Sequence, residues 1–366
     1  MASEVRFALI GCGRITGNHL DVLSTLSRAT IAAVCDLVPD RARAYGERLG
    51  VQWYTNYHEM LASERVDVVS ILTPSGMHAL HALDILERYG THLIVEKPPA
   101  LRIGDLTRVQ DAASAAGCRL FPVYQNRYNK AVRKVSSEIQ DGALGRPLLG
   151  SVRVRWCRPQ RYYDQSVWRG TWELDGGCAT NQGIHYVDLL LHLMGDVDTV
   201  YASTATQLVN VDVEDMLVAS LRFRNGALGT IEITTAVRPD DFEAEISVLG
   251  DGGSAVIAGL AANRLVLFTP DPGQCVASSE EIPNAYGLGH RPFLEDVVAE
   301  LLDGVPHPIS WSEGERAVRL LSAMYRSAED GAPVKMAEQP ASALLGQYDS
   351  MLCEPYLTAP AATTRP

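Results

Sequence analysis

The sequence is short of cations, of paired cysteines, of long apolar runs and of repeats, and each shortage narrows what the chain can be. Lysine and arginine number 32 against 44 aspartates and glutamates, a formal charge of -12. With no basic run to offset that balance, a phosphate backbone would be repelled, so no nucleic-acid partner is expected. The seven cysteines are an odd number, and the two closest, Cys157 and Cys178, stand too far apart for a CxxC or zinc-knuckle motif. They read as reduced core thiols, and no metal centre is expected. No stretch reaches the ~20 apolar residues of a membrane span. The opening MASEVRFALIGCG carries Glu4 where a secretory leader would be basic or apolar. A cytoplasmic protein with no membrane partner is therefore expected. Hydrophobic residues at 46% and charged residues at 21% exclude a disordered, collagenous or coiled-coil chain. A length of 366 residues leaves room for two globular domains.

What is present divides near residue 123. Up to that point short apolar runs, VRFALI, TIAAVC, VDVVSIL, HLIV and RLFPV, alternate with helical stretches such as HALHALDILERYG, which Gly90 closes. Continuous apolar strands alternating with helices predict a doubly wound parallel sheet, an α/β Rossmann domain over 1–123. Beyond it the spacing predicts a helix over 129–141, a strand near 148–157 and a helix over 183–194. The runs TVYASTATQL, DMLVASLRF, ALGTIEITTAV, EAEISVLG and RLVLFT then alternate with period two. Asn225-Gly226 marks a hairpin, and helices follow near 291–303 and 313–328. This is an α+β domain over 124–335 with a large open, mainly antiparallel sheet. A tail over 336–366 remains, ending in APAATTRP, for which disorder is expected. Because β-branched residues fall on both sides of strands such as TIEITTAV, the uncovered face is expected to be apolar and to assemble a homodimer or homotetramer.

Gly11-Cys12-Gly13-Arg14-Ile15-Thr16 follows the first strand and opens a helix. The first glycine permits a tight turn, the second admits a pyrophosphate close to the backbone, and the helix start supplies free N–H groups. Thr16 stands where a third glycine is usual. Asp36 ends the second strand, where a carboxylate accepts bonds from the adenosine ribose and repels a 2'-phosphate, so NAD is the expected cofactor.

The fourth strand ends in Glu96-Lys97-Pro98-Pro99, at the edge of a parallel sheet that faces the ligand crevice. GCGRI with His19, Thr73-Pro74 with His78, Glu96-Lys97-Pro98 and the later GG...NQGIH occur in the order seen in the glucose-fructose oxidoreductase and inositol dehydrogenase (Gfo/Idh/MocA) family, which the chain resembles over about residues 4–335. Gln125-Asn126-Arg127-Tyr128-Asn129, Trp168-Arg169-Gly170-Thr171-Trp172, Asn181-Gln182-Gly183-Ile184-His185 and Tyr286-Gly287-Leu288-Gly289-His290 resemble more narrowly the branch acting on sugar 3-hydroxyls, the UDP-N-acetylglucosaminuronate 3-dehydrogenases and sugar 3-ketoreductases.

The resemblance implies an NAD-dependent oxidoreductase with Lys97 and His185 in catalysis and a cis-proline at Pro98. It implies cofactor contacts from Gly11, Gly13, Arg14, Ile15, Asp36, Thr73, Pro74, His78, Glu96, Lys97, Gln125 and Trp168. It implies substrate contacts from Lys97, Arg127, Tyr128, Asn181, His185 and His290. The family's acidic residue four positions before the histidine is Asn181 here, which cannot take a proton but can bond a hydroxyl. His185, in a first helical turn, is expected to be kept neutral by the helix dipole; Asp188 reads as a dipole partner. His78 and His81 read as solvated or cofactor-side rather than metal ligands, and Tyr162, Tyr163, Trp168 and Trp172 as an apolar wall or as core. Arg127 and His290 would serve an anionic group of the substrate or pair with an acid of the fold. The reaction implied is hydride transfer at the 3-hydroxyl of a pyranose, nucleotide sugar or glycoside. The alternatives are an inositol or free-sugar dehydrogenase, an NAD(H)-binding regulatory protein, and a glycosidase that uses NAD.

Overall fold

The computed structural model describes residues 4–358. Six parallel strands come first: β1 (Val5–Ile10), β2 (Ala29–Cys35), β3 (Gln52–Tyr54), β4 (Val68–Ile71), β5 (His92–Val95) and β6 (Leu120–Pro122). They lie in the order β3-β2-β1-β4-β5-β6, so the winding reverses between β1 and β4 and opens a crevice at the strand C-terminal ends. The connecting helices are α1 (Thr16–Leu23), α2 (Pro39–Leu49), α3 (Tyr57–Ser63), α4 (His78–Tyr89) and α5 (Ile103–Ala116). They cover both faces of the sheet, which is why β1, β4 and β5 are buried almost throughout and read as unbroken apolar runs.

The chain then forms α6 (Lys130–Gln140), β7 (Pro147–Arg155) and α7 (Gln160–Tyr163), and passes through a π-helical turn, Ala179–Gly183, into α8 (Ile184–Met194). Strands β8 (Val197–Ala205), β9 (Met216–Phe223), β10 (Leu228–Thr234), β11 (Glu243–Gly250), β12 (Ser254–Ala258) and β13 (Arg264–Phe268) follow. The remainder is α9 (Gln274–Ala277), α10 (His290–Asp303), α11 (Trp311–Asp330), β14 (Val334–Lys335) and α12 (Ser350–Cys353). The second sheet runs β13-β12-β11-β7-β10-β9-β8-β14. Only its central β7–β10 pair is parallel. Helices α8 and α11 cover one face, burying Val152, Ile231, Ile246 and Leu217. Strands β3, β12 and β14, of three, five and two residues, fall outside the runs expected from the sequence.

Two expectations are corrected. The open face of the second sheet is not apolar: outward positions hold Ser151, Arg153, Ser220, Thr230 and Glu232 beside Tyr201 and Val218. In TIEITTAV the inward rows are Ile231 and Ile233, while the outward β-branched residues are threonines. Ion pairs run across that face, Arg155–Glu232 at 2.6 Å and Arg153–Glu245 at 2.9 Å. Secondly, α10 packs on the first sheet, setting Phe293, Leu294 and Val297 against Phe7 and Leu9. The segment 336–358 also folds back, with Leu345 and Cys353 only 3% and 2% exposed. APAATTRP lies outside the described residues. All seven cysteines are free, and no helix among the described residues is long and apolar enough to cross a membrane.

Asp188 is not a helix-dipole partner. It takes a two-pronged bond from Arg127, Nε to Oδ2 at 2.8 Å and Nη2 to Oδ1 at 2.6 Å. Glu313 of α11 adds a contact to Nη1 at 3.1 Å. The pair is almost wholly buried and ties the start of the second domain to α8. Asp188→Ala leaves the guanidinium buried without its main partner, so a loss of ~3–5 kcal/mol in urea unfolding is expected; a loss below ~1 kcal/mol would contradict this account of the pair.

Candidate functional site

The carboxyl ends of β1, β2, β4 and β5 open into a cavity of about 1220 Å³ that the segment 156–169 and the π-helical turn close from the other side. That volume exceeds the ~300–1,000 Å³ of most single-ligand pockets. Gly11 has φ +95°, and a Cβ there would meet the Leu72 carbonyl oxygen at 2.6 Å, so only glycine fits the turn. At Gly13 a Cβ would point into open space, the cradle a pyrophosphate needs. Thr16, in place of a third glycine, is buried and donates its hydroxyl to the Gly11 carbonyl at 2.8 Å, bracing the same loop. Asp36 is fixed by two backbone N–H groups, Cys12 to Oδ2 at 2.7 Å and Val38 to Oδ1 at 2.8 Å. These features fit a dinucleotide whose ribose meets Asp36.

Around this cavity stand Gly11, Gly13, Arg14, Ile15, Asp36, Thr73, Pro74, His78, Glu96, Lys97, Gln125 and Trp168, together with Asn181 and His185. Arg127, Tyr128 and His290 do not line it. Arg127 is held by Asp188 and Glu313. The Tyr128 hydroxyl donates to Asp296 at 2.7 Å. His290 is buried behind Glu96, its Nε2 unpartnered and 4.0 Å from the carboxylate. Of the aromatic wall, Tyr162 and Trp168 face the cavity, whereas Trp172 packs edge-on against Tyr325 and Tyr163 is buried.

Lys97 reaches across from the end of β5 and donates Nζ to the Asn181 carbonyl oxygen at 2.7 Å. Burial pushes its pKa down, against the pull of Glu96 and Asp175. The Lys97–Pro98 bond is cis. His78 is buried, not solvated, and packs its ring nitrogens on the Pro98 and Thr73 carbonyls at 2.7 and 2.8 Å. Burial would raise the Glu96 carboxyl, but a 3.0 Å bond to His19 and the nearby His290 and Lys97 hold it at about 2. His19, Glu96 and His290 bring one ligand atom each within 4.8 Å of one another, a set able to hold a cation. Its members stand far apart in the chain, so no spacing motif announces the set.

His185 is neutral, though not chiefly through the helix dipole: burial and then the Lys97 charge lower it to about 3. Its Nδ1 has no partner. Asn181 turns its amide onto Asp175, which also accepts the Gly170 N–H at 2.8 Å and which burial raises to about 6. Asp175 escaped the sequence reading, although it precedes the quoted Gly176-Gly177. So did Arg158 and Arg161, which with Arg14 and Arg169 give the cavity a basic outer wall in an acidic protein, although Arg158 is paired at 2.9 Å with Asp241 of the same lining. The guanidinium of Arg169 lies over the Tyr162 and Trp168 rings at 4.3 and 4.5 Å, and its Nε is buried without a partner. Arginines alternating with aromatics in RPQRYYDQSVWRG were the available signal.

Comparison with known proteins agrees with this geometry. Residues 5–124 match the family described as "Oxidoreductase family, NAD-binding Rossmann fold", and residues 132–256 match "GFO/IDH/MocA C-terminal domain". The crystal structure of the WlbA dehydrogenase from Bordetella pertussis in complex with NADH and UDP-GlcNAcA is 38% identical, with a TM-score of 0.86 over 91% of this chain and 97% of that one. Myo-inositol 2-dehydrogenase from Thermotoga maritima is 26% identical over 91% of this chain and 99% of its own length. D-glucoside 3-dehydrogenase from Escherichia coli K12 is 25% identical over 92% and 98%.

Beneath the π-helical turn lies Glu214, which accepts bonds from the Ala179 N–H at 2.9 Å and the Tyr325 hydroxyl at 2.8 Å. Burial raises its carboxyl from 4.5 to about 8. The folded state therefore keeps a proton that the unfolded chain releases, and this contribution to stability is full below pH 4.5 and declines toward pH 8. Glu214→Gln, which cannot ionise, should be more stable than the unaltered chain at pH 8 by ~1 kcal/mol or more, the gap closing toward pH 5. Parallel pH–stability curves for the two proteins would refute the assignment.

Proposed function

Because the chain belongs to the GFO/IDH/MocA family of NAD-binding oxidoreductases, we propose that it oxidises, or in reverse reduces, carbon 3 of a nucleotide-linked hexopyranose bearing a carboxylate. The observation that carries this reading is that Lys97, Asn181 and His185 share one cavity with a wall of four arginines, Arg14, Arg158, Arg161 and Arg169. A free sugar or inositol has no charge for such a wall to meet, whereas a uronate and a diphosphate do. Among similar proteins, the B. pertussis dehydrogenase was crystallised with a substrate of that kind. The anion-binding role first given to Arg127 and His290 passes to these arginines.

NAD bound on the Gly11–Ile15 loop supplies the hydride acceptor. Lys97, its ammonium destabilised by burial, accepts the proton of the reacting hydroxyl at Nζ as the hydride leaves the same carbon. Neutral His185 bonds that hydroxyl and keeps it turned toward Nζ, and adds no second positive charge beside the lysine. Glu96, fixed by His19, faces the lysine with a permanent negative charge that favours its protonated state once the proton has moved. A homodimer or homotetramer built through the open face of the second sheet belongs to the same proposal, because Tyr201, Val218 and Leu228 stand exposed there among the polar residues.

Lys97→Met and His185→Asn should each lower kcat/KM by ~100-fold or more while NAD binding persists, the loss typical of a positioned acid/base group. The product of a nucleotide-linked hexuronate should give the NMR signature of a ketone at carbon 3. Oxidation at another carbon, or turnover confined to inositols, would refute the substrate and leave the lysine–histidine argument standing. Light scattering that finds a monomer at micromolar concentration would refute the assembly.

A further inference from the structure

The segment after β14 belongs to neither matched domain, which end at residues 124 and 256, yet it is anchored along its length. Leu345 is buried against Leu101, and the Gly346 N–H donates to the Trp172 carbonyl at 2.9 Å. Asp349 caps α12 by accepting the Met351 and Leu352 N–H groups at 2.7 and 3.2 Å. Cys353 then enters a small apolar cluster with Met77 and Leu174, on which Leu352, Tyr356 and Trp168 pack.

From there the chain crosses the mouth of the dinucleotide cavity, and two buried histidines hold it. His81 Nε2 meets the Tyr356 carbonyl at 3.1 Å while its Nδ1 meets the Thr73 hydroxyl at 3.0 Å. His58 Nε2 meets the Thr358 carbonyl at 3.0 Å while its Nδ1 meets the Tyr89 hydroxyl at 2.8 Å. Both patterns are satisfied by one neutral tautomer: Nε2–H donates to the backbone oxygen and Nδ1 accepts from a hydroxyl. Each ring is thus fully used as a latch. The strap they hold contributes Pro355, Tyr356 and Thr358 to the cavity wall, at the end that also contains Asp36 and Arg41.

We propose that residues 345–358 are a built part of the cofactor site, with Tyr356 closing the adenosine half of NAD against Asp36 and slowing its release. This rests on the reading that Asp36 receives the adenosine ribose. The ligand class is an adenine nucleotide, and the aromatic ring supplies apolar surface to a base that would otherwise face water. An aromatic wall of this kind is worth a few- to a hundredfold in affinity per base. Lys97 bonds the Asn181 carbonyl of the other domain, and among the described residues no hydrogen bond joins Lys97 or His185 to the strap, so the effect should divide along the dinucleotide.

Titration calorimetry of the full chain and of Tyr356→Ala with NAD, with AMP and with nicotinamide mononucleotide tests this. Tyr356→Ala should raise Kd for NAD and for AMP by about tenfold and leave that for nicotinamide mononucleotide within twofold. An equal Kd for AMP in both proteins, or tighter AMP binding by the variant, overturns the proposal; the second result would make the strap an obstruction. Hydrogen exchange guards against a merely misfolded variant: in the unaltered chain AMP should slow exchange of the 352–357 amides, and no slowing also overturns the proposal. If the unaltered chain binds NAD but Asp36→Ala loses no AMP affinity, it is the Asp36 reading that fails.

Discussion

One hydrogen bond joins the two halves of this molecule at the point where chemistry would occur. Lys97 stands at the end of β5 in the first sheet, and its Nζ donates to the backbone oxygen of Asn181 in the π-helical turn of the second domain. A lysine stem is long and mobile, so a buried ammonium stays in place only if its surroundings fix it. Much of the nearby structure does this. His78 bonds the carbonyl of the neighbouring Pro98, His19 fixes Glu96 beside it, and Asp175 pins the side chain of Asn181. The carbonyl that receives Nζ lies in the π-helical turn, a local departure from α-helical winding of the kind often found at functional sites. Glu214, kept neutral by burial, supports that turn from below through the Ala179 N–H.

Burial also decides how charge is shared around the lysine. Removing these groups from water pushes Lys97 and His185 toward neutrality and Asp175 and Glu214 toward protonation. Glu96 alone is held firmly ionised, because His19 bonds it directly. The centre thus sets two carboxyls, Glu96 firmly ionised and Asp175 ionised only above about pH 6, beside a lysine whose pKa burial lowers. Farther out the sign reverses, and five arginines, Arg41 among them, line the cavity in a protein of net charge -12. On the proposed reading, that wall would meet the ligand's anionic groups and leave its reacting hydroxyl to the lysine.

The parallel sheet, the glycine loop, Asp36 and the lysine were legible because each is written in adjacent residues: an apolar run, a turn, a charge at a strand end. What escaped is written across distance. Of the two readings open for Arg127, a substrate contact or an acid of the fold, the second holds, and its partners Asp188 and Glu313 come from two other helices. The outer face of the second sheet was misjudged because threonine is β-branched like valine yet polar, and periodicity alone does not weigh the hydroxyl. His58 and His81 gave no local sign of their use, since their partners lie near residue 357. Asp175 was passed over because its importance comes from the residue it faces.

That residue accounts for the asparagine that stands at 181 in place of the family's acid. An aspartate at 181 would meet Asp175 inside a buried pocket, and two carboxylates at hydrogen-bond distance cannot both ionise there. With asparagine the amide donates to Asp175 instead, and the acid that the motif expects at 181 is present six positions earlier. The exchange keeps one carboxyl near Lys97 while leaving the backbone oxygen of 181, which no side-chain change can remove, as the acceptor for Nζ. The substitution therefore alters which side chain carries the acid but not the bond that positions the lysine. The lysine–histidine arrangement tolerates asparagine at 181 because its geometry depends on the main chain there.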